Sequence, residues 1–174
     1  MFAIFKDIIN TDKFEDIMAK NDKNNYKLLQ KNKKAFFNYE MVETIECGMS
    51  LVGTEVKSIR EGRFSFTDSY VVIEDGQLML LQFTIQPYKQ GSIFNHDPGR
   101  KRHLLAHKQE IKRLNRKVNE KGLTLVPTKV YLKGNLVKME VGLARGKALY
   151  DKKNVIKERD LHREAKREIK NLKY

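Results

Sequence analysis

Two glycine-containing turns, each between two β-patterned segments, constrain the fold of this chain most. Asp75-Gly76 separates residues 69–74 from residues 77–85, and Gly134-Asn135 separates residues 128–133 from residues 136–141. Such turns require positive φ angles and join neighbouring antiparallel strands. The chain is therefore predicted to build its core from antiparallel sheet.

Further strands are predicted at residues 41–46 and 49–58, with Gly48 at a turn or bulge between them. Between the two hairpins the pattern changes to a helical period over about residues 97–121. Asp97 suits the N-cap of this helix, Pro98 its first position, and Gly122 its end. The predicted apolar stripe of the helix consists of Leu104, Ile111, Leu114 and Val118.

About six strands with one inserted helix predict a mainly β fold, namely a small closed barrel of the oligonucleotide-binding type. At 174 residues, the chain is expected to hold one domain with appendages. We predict a flexible N-terminal extension over residues 1–31. Within it, residues 1–17 are expected to be an addition that is not part of the native protein. The barrel is predicted over residues 32–144, and residues 145–174 form a basic tail, disordered or helical, that becomes helical on its partner.

The charge of the chain indicates a polyanionic partner. The formal net charge is +13, and the tail alone carries 11 Lys/Arg against 5 Asp/Glu. This excess favours nucleic acid over a membrane surface, because no apolar run reaches the length of a membrane-spanning helix. Cys47 is the only cysteine, which excludes a disulfide framework and a cysteine-based zinc site. A reducing, cytoplasmic location is expected.

The segment Gly53–Arg60 has two interpretations as a strand. In the first it is a solvated strand with a cross-strand ion pair. In the second, Lys57 and Arg60 contact phosphate, while Glu46 or Glu55 orients a basic residue. Sequence pattern alone leaves both open.

The sequence offers only weak evidence for catalytic or metal-binding residues. His96-Asp97 is better explained as a turn and helix cap. His103 and His107 have the i, i+4 spacing of helical metal ligands, but Leu104 stands where a metalloprotease helix has Glu. The segment 142–147 lacks the spacing of a phosphate-binding loop. No catalytic residue, metal or cofactor is predicted, and a binding protein is favoured over an enzyme.

Several segments, in this order, are similar to the small protein B family, the tmRNA-binding (SsrA-binding) proteins of bacterial trans-translation. They are Gly53–Arg60 (GTEVKSIR), 68–70 (DSY), 94–98 (FNHDP), 121–127 (KGLTLVP) and 142–153 (GLARGKALYDKK). The resemblance runs from about Asn32 to the C-terminus. Phe36 and Phe37 depart from it, since relatives usually carry Arg-His there.

The resemblance implies an adaptor for ribosome rescue. The barrel would bind the tRNA-like domain of tmRNA, and the tail would occupy the empty mRNA channel and decoding centre of a stalled 70S ribosome, mimicking codon–anticodon pairing. Elongation factor Tu with GTP would take part through alanyl-tmRNA. No membrane is involved.

The resemblance also implies two sets of site residues. The positions expected to bind tmRNA are Asn32, Lys33, Lys34, Glu46, Lys57, Arg60, Leu105 and Lys138. The positions expected at the decoding centre are Gly146, Lys147, Tyr150, Asp151, Lys152, Lys153, Arg159, Arg163, Lys166 and Arg167. Tyr150 is also singled out by the residues alone, because an exposed aromatic among cations can stack on an unpaired base.

Two rival functions remain open. The first is a generic barrel for single-stranded RNA or a ribosome-associated factor, which would prefer unpaired homopolymer over tmRNA. The second is a nuclease using Glu46, Glu55 or Asp97, although these carboxylates do not cluster at a useful spacing.

Overall fold

The computed structural model describes residues 26–91, 95–148 and 150. Three helices occur in this part of the chain: α1 (Lys33–Asn38), α2 (Gly53–Arg60) and α3 (Lys108–Lys121). The strands are β1 (Tyr26–Lys31), β2 (Tyr39–Met49), β3 (Phe64–Ser65), β4 (Tyr70–Glu74), β5 (Gln77–Leu81), β6 (Thr84–Ile85), β7 (Arg102–Leu105), β8 (Thr124–Lys133) and β9 (Leu136–Gly146). None of the helices in these ranges is long and apolar enough to cross a membrane.

Six strands form a closed antiparallel ring. Their order is β8-β4-β5-β7-β2-β9, and the pairing of β9 with β8 closes the ring. Strand β1 is not part of the ring but pairs with β8. Strands β3 and β6 form a separate two-stranded sheet. The mainly β fold with six closed strands and an inserted helix is therefore confirmed.

Both predicted hairpins are confirmed by the strand register. Asp75 and Gly76 have φ angles of 49° and 72°, and Glu74 pairs with Gln77. Gly134 has a φ of 60°, and Lys133 pairs with Leu136. The second hairpin is longer than predicted, because β9 continues to Gly146 alongside the start of β2.

The prediction of a strand over 49–58 is wrong, because Gly53–Arg60 forms helix α2. Glu55, Ser58 and Ile59 are its buried residues, so the inward face has helical spacing. The Glu55 carboxylate accepts a hydrogen bond from the Val52 backbone N–H at 2.9 Å, which satisfies a donor at the helix start. Gly48 lies within the continuous strand β2 and does not form a turn.

The predicted helix over 97–121 is correct only in its second half. Residues Arg102–Leu105 form strand β7, and helix α3 begins at Lys108 with His107 at its N-cap. Asp97 caps a turn instead, since its Oδ1 accepts from the Gly99 N–H at 3.0 Å. Leu104 is buried from a strand, so it is not part of the helical stripe. Gly122 does end the helix, with a φ of 58°.

Strand β1 lies within the segment for which the sequence predicts a flexible extension. Its pairing partner is β8, and the Tyr26 ring lies 4.7 Å from the Tyr131 ring, centroid to centroid. These contacts fix residues 26–31 against the ring. The core inside the ring contains fully buried residues from both hairpins, from β2 and from α2. They include Cys47, Ile59, Leu78, Leu80, Phe83, Val130, Met139 and Val141.

Candidate nucleic-acid interface

An open hollow of about 340 Å³ lies on the outer surface of the ring, where β2, β7 and β9 run side by side. Gly48 forms its floor, because Ile45 and Cys47 point into the core and the next outward position of β2 has no side chain. Leu105 and Leu136 stand beside the floor and are 61% and 64% exposed. The other lining residues are Met49, Leu51, Val56, Asn135, Val137 and Lys138. We call this feature the Gly48 hollow.

A fixed carboxylate stands next to the hollow. The Tyr131 hydroxyl donates to Glu46 Oε2, and the Lys138 ammonium lies 3.3 Å from Glu46 Oε1. The hydrogen bond from Tyr131 and the charge of Lys138 outweigh partial burial and lower the pKa of Glu46. Burial and the same carboxylate raise the pKa of Tyr131. Glu46 is therefore a stable anion, held in place by Tyr131 and Lys138.

Helix α2 supplies two exposed cations, Lys57 and Arg60. The Arg60 guanidinium donates to the backbone carbonyl of Asn135 at 3.0 Å, which places Arg60 at the rim of the hollow. The Lys57 ammonium lies 5.3 Å from the centroid of the Tyr88 ring, within the range of a cation–π contact. The expected neighbours Arg60, Leu105 and Lys138 thus surround one hollow with Glu46 beside it.

Glu55 anchors α2 from below. Its side chain is fully buried, and its two oxygens accept from Arg100, from the Val52 N–H and from Arg102, whose Nε is 2.9 Å from Oε1. Burial raises the pKa of Glu55, but the hydrogen bonds from Arg100 and Val52 and the charge of Arg102 outweigh this effect and lower it overall. The expectation that Glu55 orients basic residues matches this geometry, although the partners are arginines that the sequence did not single out.

Asn32 lies apart from the hollow and offers no free side-chain group. Its Nδ2 donates to the Pro127 carbonyl at 2.9 Å, and its Oδ1 accepts from the Ala35 N–H at 3.0 Å. Asn32 is therefore the N-cap of α1. Lys33 and Lys34, in the first turn of that helix, are exposed beside a shallow recess of about 430 Å³.

The histidines do not form a metal site. His96 bridges the Thr54 hydroxyl, at 2.9 Å, and the Ile85 carbonyl, at 3.2 Å. His103 lies on strand β7, and the exposed His107 is at the N-cap of α3, so the helical spacing expected for this pair is wrong. Among the described residues no group of three or more His, Cys, Asp or Glu could hold a metal ion. Burial raises the pKa of the Cys47 thiol to about 12, so it is not a nucleophile.

Comparison with known proteins decides the family. The family model described as "SmpB protein" matches residues 29–171. The chain belongs to the SmpB family. The SsrA-binding protein of Treponema denticola is 52% identical over 86% of this chain and 97% of its own length. The SsrA-binding protein of Persephonella marina is 52% identical over 83% of this chain and 95% of its own length.

A solved structure described as "tmRNA-SmpB: a journey to the center of the bacterial ribosome" has the same fold. It is 50% identical in sequence with a TM-score of 0.59, and the match covers 69% of this chain and 85% of that one. The SmpB family match extends well beyond the ring into the basic tail.

The structure describes only the beginning of the expected decoding-centre set. Gly146 ends β9, the Lys147 N–H donates to the Asn38 carbonyl at 2.9 Å, and Tyr150 is 73% exposed. The other members lie outside the described residues: Asp151, Lys152, Lys153, Arg159, Arg163, Lys166 and Arg167. Residues 1–25, most of the predicted N-terminal extension, also lie outside them.

Sequence reasoning missed three parts of this SmpB surface. Tyr131 could have been found, because the alternation on β8 places it on the outer face beside Lys129 and Lys133. Arg100 and Arg102 could not, since they meet Glu55 across more than 40 residues of chain. The sequence predicted a turn or bulge at Gly48. Its position at the floor of the hollow depends on which strands lie beside it, and the sequence alone does not specify these neighbours.

Proposed function

We propose that this protein is an adaptor of trans-translation, in which the six-stranded ring binds tmRNA and the basic tail reaches into a stalled ribosome. The observation that carries the proposal is the SmpB family match over residues 29–171, which includes both the ring and most of the tail. The relatives named above are SsrA-binding proteins, and the solved neighbour is described with tmRNA and the bacterial ribosome.

The surface chemistry supports RNA as the ligand of the ring. A net charge of +13 favours a polyanion. Lys138 lines an apolar hollow, Arg60 lies at its rim, and Lys57 is exposed on the same helix as Arg60. Folded RNA loops are recognised through phosphates and unstacked bases, which need cations and apolar shelves together. If about six cations contact phosphate, the logarithm of the affinity should fall with the logarithm of salt with a slope of about −4 to −5.

The proposal assigns the protein a binding role and no catalytic step. Elongation factor Tu with GTP would join through alanyl-tmRNA, and the site of action would be the cytoplasm. The tail would contribute its excess of cations to the message channel, with Tyr150 and the segment 151–153 nearest to the decoding centre. A specific RNA partner distinguishes this proposal from a generic single-strand-binding barrel.

The first experiment tests the ring. The full chain is titrated into a labelled tmRNA tRNA-like domain with unlabelled homopolymer as competitor. We expect the homopolymer to compete poorly, and Lys138→Ala to weaken tmRNA binding. Lys121→Ala, which removes an exposed lysine at the end of α3, is the matched control and should bind normally. Equal competition by homopolymer would favour the generic RNA-binding barrel.

The second experiment tests the tail. The chain is truncated after Ala148, because β9 runs to Gly146 and Lys147 is bonded to Asn38. We expect this truncated protein to bind tmRNA with normal affinity and to fail in peptide tagging on ribosomes stalled in a reconstituted translation system. A truncated protein that still supports tagging would disprove the division of labour between ring and tail.

A further inference from the structure

Helix α1 has no cation in its own last turn. The final carbonyls of a helix have no partner inside it, and they carry the negative end of its dipole. The Tyr39 N–H donates to one of these groups, the Ala35 carbonyl. The carbonyls of Phe36 and Asn38 obtain their donors from a distant part of the chain.

Lys147 supplies both of these donors. Its backbone N–H donates to the Asn38 carbonyl at 2.9 Å, and its ammonium donates to the Phe36 carbonyl at 3.3 Å. Phe36 and Lys147 are 111 residues apart in the chain. They meet because the end of β9 pairs with the start of β2, with Gly146 opposite Tyr39. Lys147 therefore closes the C-terminal end of α1.

The other end of α1 is fixed to the ring as well. The N–H of its N-cap residue, Asn32, donates to the Thr128 carbonyl of β8 at 2.8 Å. Ala35 is buried from the middle of the helix and packs with Val126 and Ala144. Because α1 is held at both ends and from below, a residue bonded to its last turn has one defined place on the ring.

We propose that Lys147 anchors the root of the tail to α1 and thereby sets where Tyr150 is presented to the ribosome. Lys147 is a positioning residue in this role and acts without touching ribosomal RNA. Among the described residues it is the last with a hydrogen bond to the rest of the fold, and Tyr150 beyond it is 73% exposed. This inference rests on the proposed function and adds how the ring holds the tail.

The anchor places both parts of the proposed adaptor on one short helix. Lys33 and Lys34, which the resemblance assigns to tmRNA binding, are exposed in the first turn of α1, and Lys147 is bonded to its last turn. A helix of six residues is only about 9 Å long. A tail released from α1 would hold Tyr150 in the productive position in only part of the population, and the apparent affinity falls by that fraction.

The first test measures peptide tagging by the full chain with tmRNA, on ribosomes stalled in a reconstituted translation system without reducing agent. We expect Lys147→Ala to raise the concentration for half-maximal tagging about tenfold, as for one hydrogen bond from a charged donor, with an unchanged maximal rate. Lys147→Arg keeps a cationic donor and should restore most of the activity. Lys121→Ala, which removes an exposed charge at the end of α3, is the matched control and should tag normally.

A disulfide separates anchoring from direct contact with the ribosome. Because Tyr39 pairs with Gly146, residues 38 and 147 lie opposite each other at a spacing that a disulfide can bridge. Asn38→Cys with Lys147→Cys replaces the charged anchor by an uncharged covalent one, and Cys47 is fully buried and does not compete. We expect the oxidised double variant to tag like the unmodified chain and the reduced form to tag like Lys147→Ala. Thermal melts and tmRNA binding check that both forms are folded.

Spin labels measure the anchor in the free protein. Nitroxides attached at Asn135→Cys and Tyr150→Cys, two exposed positions, flank the 11 residues of β9. At about 3.3 Å per strand residue their separation is roughly 35 Å, within the range of pulsed electron paramagnetic resonance. We expect a narrow distance distribution that broadens when Lys147→Ala is added.

An unchanged distance distribution, or tagging by Lys147→Ala at the same concentration as the unmodified chain, would overturn the proposal. Failure of the oxidised double variant, folded and bound to tmRNA, would also overturn it and would assign Lys147 a direct contact with the ribosome. If the unmodified chain supports no tagging, the proposed function is refuted, and the distance distributions still decide whether Lys147 anchors the tail.

Discussion

Replacing Glu55 with glutamine should destabilise the protein far more than a surface change of the same kind. The Glu55 side chain is fully buried and accepts four hydrogen bonds, two on each oxygen. Glutamine keeps one acceptor oxygen and presents an NH₂ group to donors at the other position. The fully buried Arg102 then loses its counter-charge but keeps its hydrogen bonds to the Phe83, Pro98 and Arg100 carbonyls.

The expected loss follows from the uncompensated charge. Removing one partner of a buried ion pair costs about 3–5 kcal/mol, because the remaining ion stays out of water. A natural domain is stable by about 5–15 kcal/mol, so Glu55→Gln should remove a large part of the free energy of unfolding. The measurement is urea denaturation at pH 7, with the slope of the transition compared between variants to check that two-state unfolding persists.

Glu61→Gln is the control. Its carboxylate pairs with Arg63 at 2.8 Å but is 44% exposed, so its loss should cost less than about 1 kcal/mol. The reasoning would be refuted if the two glutamine variants lost the same free energy. A large loss for Glu55→Gln with a normal slope would establish that the buried pair fixes α2, and with it Lys57 and Arg60, on the ring.

Three further predictions concern single contacts. Asn32→Ala should cost about 1 kcal/mol or more in urea denaturation, because it removes the N-cap of α1 and leaves the Pro127 carbonyl without its donor. Gly122→Ala should cost about 1 kcal/mol by the same measurement, since its φ of 58° strains any residue with a Cβ. Tyr131→Phe should raise the pKa of Glu46 in an NMR titration. Because folding lowers the pKa of Glu46, this carboxylate stabilises the wild type at pH values above its unfolded pKa. That stabilisation is lost as the pH falls through the folded pKa. The variant should therefore lose less free energy of unfolding over this range.

The sequence predicts the hairpins well because their turns depend on local backbone angles. Asp75-Gly76 and Gly134 specify positive φ wherever they occur, and the register of the flanking strands follows from them. Helix α2 was mistaken for a strand because Val56 and Ile59 are β-branched and the segment is too short to show a clear helical period. Its inward face carries the buried Glu55, whose arginine partners lie more than 40 residues away in the chain.

The start of α3 was misplaced for a related reason. Asp97-Pro98 is a stronger N-cap signal than His107, yet it caps only a turn. The segment after it is drawn into the sheet because Arg102 and Leu104 alternate into the interior, where Arg102 meets Glu55. A charged residue is rarely buried in a core. Because the sequence does not show the partner of Arg102, it assigns this residue to the surface.

The site shows the same division between local and long-range information. The family resemblance places Asn32, Glu46, Leu105 and Lys138 in one functional set, but it does not say which atoms are free to touch RNA. The ring brings Glu46, Leu105 and Lys138 to one hollow with acceptor positions and apolar surface exposed. Asn32 has both side-chain atoms engaged within the protein, so a defect in RNA binding on its replacement would act through the orientation of α1. Asn32 thus fixes the start of α1, the helix whose first turn carries the exposed Lys33 and Lys34.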